Sequence, residues 1–133
     1  MKAIAAVLFI AIFCCCEKSS IADPNTLEGN YITNALLDIS CAAVEKDKLP
    51  VLKVSRSGND SYTMELTRFL PNQTKTTFNG IKLIQEAGVD KLVYDNKNAG
   101  SWRKVDGFGE QKILTFSVQS DPNQFIYFVG VKN

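Results

Sequence analysis

The sequence predicts an all-β fold: one antiparallel meander of about eight short strands, closed as a barrel or stacked as a sandwich. Three observations carry this. Several segments alternate apolar and polar residues with a period of two, as in Tyr62, Met64 and Leu66 against Thr63, Glu65 and Thr67. Turn signals recur about every ten residues from Gly29 to the end of the chain. The connections are short, which favours neighbours in sequence pairing in space. With 133 residues, 45% hydrophobic and 22% charged, the chain has the size of one domain.

The first strand is expected at Gly29–Asn34. An irregular or short helical segment follows over 35–48, where Leu36, Ile39, Ala43 and Val44 fall near one stripe. Leu49-Pro50 ends it. Val51–Arg56 and Ser61–Phe69 read as a hairpin around Ser57-Gly58-Asn59-Asp60. Leu70-Pro71-Asn72-Gln73 is the next break. Asn79-Gly80 lies between the strand-like runs 74–78 and 81–85. It reads as a hairpin turn, because both residues tolerate positive φ, with a bulge inside one longer strand as the alternative. Strands at Lys91–Tyr94, Ser101–Val105 and Lys112–Val118 are separated by turns at Asp95–Gly100 and Asp106–Glu110. After a turn at Ser120–Asn123, Phe125–Val131 is apolar on both faces and reads as a central strand.

Composition excludes several functions. There is no histidine, which removes Ser-His-Asp and Cys-His catalysis and His-ligated metals. The net charge is +1, and Lys2 lies in the leader, so the rest of the chain is neutral. Nucleic-acid binding, which rests on cations neutralising phosphates, is not expected.

Met1-Lys2 is a short positive start, and Ala3 to Phe13 (AIAAVLFIAIF) is an unbroken apolar run. That run is shorter than the roughly 20 residues of a transmembrane helix and fits the apolar region of a secretory signal. Cys14-Cys15-Cys16 follows, then the polar Glu17-Lys18-Ser19-Ser20. The pattern resembles a bacterial lipoprotein signal, cut before a cysteine that then carries the acyl chains. The resemblance implies a signal over 1–15, lipidation at Cys16 with Cys15 as the alternative, an anchor and polar tether over 16–28, and a β-domain over 29–133. It places the protein in the cell envelope, on the outer membrane of a Gram-negative bacterium. The alternative is plain secretion, with Asn59-Asp60-Ser61 and Asn72-Gln73-Thr74 as glycan sequons. Two or three acyl chains anchor stably, at about 0.8 kcal/mol per buried methylene.

Candidate chemistry is sparse. Asp95 to Asp106 has the outline of a calcium loop, but Lys97 and Ala99 occupy ligand positions, so a strand turn is expected. Gly107-Phe108-Gly109 precedes a strand and lacks the helix of a phosphate loop. Cys41 has no histidine to activate it and reads as a buried, inert thiol. Asp38, Glu65, Glu86, Asp95, Asp106 and Glu110 are scattered over turns and wet faces, so no carboxylate pair is expected. No enzyme activity, cofactor or metal is expected.

Gly29-Asn30-Tyr31 opening the first strand, followed by the meander, resembles a small lipocalin-like barrel, with Tyr31 where that family carries tryptophan. The resemblance implies a binding role for a small apolar ligand or lipid. Tyr62, Tyr94, Trp102, Phe116 and Tyr127 are the candidate lining rings, and Arg68 the candidate rim cation that clasps a carboxylate. The alternative is a protein-interaction module, an inhibitor or accessory subunit of an envelope complex. Small bacterial lipoproteins that resemble lysozyme inhibitors are also short barrels, and Ser57-Gly58 with Tyr62 approximates their loop with one residue more. A ligand-sized cavity lined by these rings supports the first reading. A solid core beside an exposed apolar patch supports the second.

Overall fold

A computed structural model describes residues 26–133. Eight antiparallel strands form a closed up-and-down barrel in sequence order. They are β1 (Gly29–Ile32), β2 (Val51–Arg56), β3 (Tyr62–Arg68), β4 (Thr74–Glu86), β5 (Val89–Tyr94), β6 (Lys97–Lys104), β7 (Lys112–Asp121) and β8 (Gln124–Lys132). The segment between β1 and β2 holds only two short 3₁₀ turns, Ile39–Cys41 and Lys46–Lys48. Signal, acylation site and most of the expected tether fall outside the described residues.

The alternation that predicted the strands also sorts the side chains. On β2, Leu52 and Val54 are buried while Lys53 and Ser55 are exposed. On β3, Tyr62, Met64 and Leu66 point inward. Their apolar side chains join Tyr31, Phe78, Ile81, Leu92, Leu114, Phe116, Ile126 and Phe128 in one continuous core. Phe78 anchors it, edge-on to Phe116 at 5.0 Å and to Tyr94 at 5.8 Å between ring centres. An eight-strand barrel has an interior just wide enough for side chains to fill, and this one is filled. The folded part begins before β1, because Leu27 is buried in the same core.

Two bulges replace turns expected from sequence. Asn79-Gly80 is not a hairpin: β4 runs unbroken through it, and the register shifts there, with Tyr62 opposite Ile81 and Met64 opposite Phe78. The left-handed backbone of Gly80 (φ 77°) absorbs the extra residue, and the Thr63 hydroxyl donates to Asn79 Oδ1 at 3.1 Å. Likewise the β5–β6 turn is only Asp95-Asn96, both at positive φ, and β6 has already begun at Lys97. Gly100 lies within β6, opposite Leu92, at a second register shift.

Chain direction gives the barrel two distinct ends. The proximal end holds residues 26–28, the β2–β3, β4–β5 and β6–β7 turns, and the C-terminus. The distal end holds the long β1–β2 connection and the β3–β4, β5–β6 and β7–β8 turns.

Gly100 has φ 139°, and a Cβ there would lie 1.9 Å from the Thr115 carbonyl oxygen of the neighbouring strand. Gly107, in the β6–β7 turn, has φ 90° but open space around it. Gly100→Ala is therefore expected to cost more than about 3 kcal/mol, and Gly107→Ala about 1 kcal/mol. Urea unfolding of the two variants checks this; equal losses would contradict the bulge geometry.

Candidate functional site

The proximal end is sealed by chemistry built on Tyr31. Its ring is fully buried, and its hydroxyl donates to the Leu27 carbonyl at 2.8 Å. The Trp102 indole N–H is a further partner of that hydroxyl. One phenol thus ties the incoming chain and β6 to β1. Burial raises the Tyr31 pKa well above the ordinary tyrosine value, and the Trp102 hydrogen bond opposes this. Lys112 covers one face of the indole, with Nζ 3.8 Å from the ring centre, and pairs with Asp90 at 3.0 Å. Both ion-pair partners are largely covered, so this contact is less screened than the other surface pairs.

The distal end is built differently. Asn34 Oδ1 accepts from the backbone N–H groups of Leu36 and Leu37, and Asp38 Oδ1 accepts from the N–H and hydroxyl of Ser40. These local side-chain bonds hold the connection in turns in place of a helix. The stripe expected over 35–48 therefore does not form: Leu36 is 85% exposed and Ile39 81%. Leu70, on the neighbouring β3–β4 turn, is 54% exposed. It lines a shallow cleft of about 140 Å³ together with Cys41, Val44 and Arg68. A second cleft, about 290 Å³, opens at the same end between Tyr94, Ala99, Val118 and Phe125.

The candidate ligand residues do not converge. Tyr62, Trp102 and Phe116 are buried parts of the core, and Tyr94 is half-buried at the distal mouth. Arg56 lies over the Tyr62 ring at 5.4 Å and donates to its hydroxyl. Tyr127 points outward from β8 and is 44% exposed. Arg68 is at the distal end, as its position on the apolar face of β3 predicts. Its guanidinium donates to the Tyr127 carbonyl oxygen at 3.4 Å, where a ligand carboxylate had been the expected acceptor.

Of the scattered acids, Glu65 pairs with Lys75, Glu86 with Lys91 and Glu110 with Lys104, while Asp38 caps the turn at Ser40. The Lys104 contact lowers the Glu110 pKa. Asp95 to Asp106 spans a two-residue turn and strand β6, so its backbone is not that of a cation loop. Among the described residues no group of three or more acid or cysteine side chains is placed to hold a metal ion, and Cys41 is a buried free thiol. Comparisons with protein families, with curated proteins and with solved structures found no match to this chain.

Tyr31→Phe removes the hydroxyl and is expected to cost about 1 kcal/mol near neutral pH. Because the folded-state pKa is raised, the stability contributed by the neutral phenol is complete below the unfolded value of about 10. It is lost as pH rises from there through the folded value. The stability gap between wild type and Tyr31→Phe should therefore narrow above about pH 10. Urea titrations from pH 7 upward measure it; a gap that stays constant above pH 10 would contradict the buried, bonded phenol.

Proposed function

We propose that this chain is a membrane-anchored, non-catalytic protein of the cell envelope whose barrel binds another protein through its distal end. The anchor is the acylated Cys16, or Cys15, read from the leader. The observation that supports the binding role is the placement of apolar surface. Leu36, Ile39 and Leu70 are each exposed on distal-end connections, while the interior is filled and the proximal end is covered by Leu27, Tyr31 and Lys112 over Trp102. The chain enters at the proximal end. An extended tether from Cys16 to Thr26 reaches at most about 35 Å, so that end stays near the bilayer and the distal end can be held away from it. The partner is an envelope protein offering an apolar surface to three aliphatic side chains.

A second reading has its own observation. The 290 Å³ cleft at the distal mouth, with Phe125 66% exposed beside Tyr94 and Val118, is near the lower size limit for a small apolar ligand.

The test is photo-crosslinking from position 36 of the full-length chain in its own envelope, with Lys53, on the outer face of β2, as the control position. One discrete protein adduct from position 36, absent from position 53 and lost on Ile39→Glu, is the expected result. Equal labelling from both positions overturns the distal-end role. A bound mass of a few hundred daltons in native mass spectrometry, with no adduct, would favour the carrier reading instead.

A further inference from the structure

β4 is the longest strand, and it outruns β5. The two pair from Glu86 opposite Val89 to Lys82 opposite Val93, and there the pairing stops. Beyond that point β4 follows β3 alone, through the bulge at Asn79-Gly80. β5 ends one residue later, at Tyr94, and turns back through Asp95-Asn96. The strands part here and leave a cleft of about 380 Å³ in the side of the barrel. Asn79, Gly80 and Lys82 line it from β4, and Tyr94, Asp95 and Asn96 from β5 and its turn.

The polar side chains of this cleft are largely uncommitted. Glu65, Glu86 and Glu110 are each tied to a lysine. The side chains of Lys82, Asp95 and Asn96 have no hydrogen bond or ion pair among the described residues. Lys82 and Asp95 share the cleft without forming a salt bridge. Asn79 is half committed. Its Oδ1 accepts from the Thr63 hydroxyl at 3.1 Å, which leaves its Nδ2 to donate.

This donor set selects a ligand chemistry. Lys82 and Asn79 offer donors, Asp95 offers acceptors and Asn96 offers both. One positive and one negative charge cancel. An anion meets Asp95, and a cation meets Lys82. An apolar molecule strips water from these groups and returns no hydrogen bond. A neutral ligand rich in hydroxyl groups suits the set, because each hydroxyl both donates and accepts. Val93 and Tyr94 add apolar contact for C–H groups. The volume lies within the roughly 300–1,000 Å³ of small-molecule sites. We propose that this cleft binds a neutral carbohydrate, with Asn79, Lys82, Asp95 and Asn96 at its hydroxyl groups. A free sugar and a neutral stretch of envelope glycan share that chemistry. The site does not depend on what the aliphatic residues of the distal end bind.

The test is binding of the full-length chain, in a detergent without a sugar headgroup, to an array of neutral oligosaccharides of glucose, galactose, mannose and N-acetylglucosamine. Trp102 fluorescence first shows each variant folded. At least one sugar should be retained, and its soluble form should compete. Lys82→Ala and Asp95→Gly should each weaken binding about tenfold, and Asn96→Gly about fivefold. Glycine keeps the left-handed backbone of both turn residues, so these two variants remove the side chain alone. Lys53→Ala, on the outer face of β2, should change nothing. Competition by the monosaccharide as strong as by the oligomer supports the site with a free sugar as its ligand. Competition by the oligomer alone supports it with a glycan chain. Retention of no sugar overturns the proposal, and so does retention that all three cleft variants leave unchanged. Displacement of the sugar by equimolar diglycine would show a site for zwitterions and also overturns it.

Discussion

Closure of the barrel depends on β1, the shortest strand, which must hold β2 on one side and β8 on the other. It pairs with β2 along its whole length but with β8 at only two positions. Two features compensate. Tyr31 binds the strand to Leu27 and Trp102 from inside the core. Gly130 lets β8 come close, since a Cβ there would lie 2.7 Å from the Ile32 carbonyl. Immediately beyond, at Thr33, the chain turns away with its side chain buried and its hydroxyl without a partner among the described residues.

From this closure the rest follows. A wall of eight strands leaves room for one layer of large side chains, and Phe78, Phe116, Met64 and their neighbours take it. The polar groups that could do chemistry are spread over turns and outer faces, many of them tied to a neighbour of opposite charge. What is left to recognise other molecules is therefore the outside, above all the aliphatic residues of the distal end. They owe their exposure to the departure of β1 after Ile32. It frees residues 34–48 to fold as turns over the distal end, and it leaves β8 without a neighbour.

The fold class was legible because period-two alternation survives in β2, β3 and β7, where inward and outward residues differ most in polarity. Bulges were harder to read. Asn79-Gly80 and Gly100 carry the residue types of turns, and only the partner strand decides whether an extra residue bends a strand or ends it. β8 shows the opposite failure. Its apolar residues on both faces suggested a strand paired on both sides, yet Ile126 and Phe128 are apolar for the core while Phe125 and Tyr127 lie exposed along an edge. Whether the candidate ligand residues lie together was not legible. Barrel stagger sends Trp102 to one end and Arg68 to the other, and no local pattern reports that.

Amide hydrogen exchange along β8 tests the open seam most directly. The N–H groups of Phe125 and Tyr127 should exchange quickly, while those of Ile126 and Phe128, bonded to β7, and of the buried Val129 should be protected. Strong protection of all five would mean that the wall is complete beside Phe125 and Tyr127, and would contradict the account.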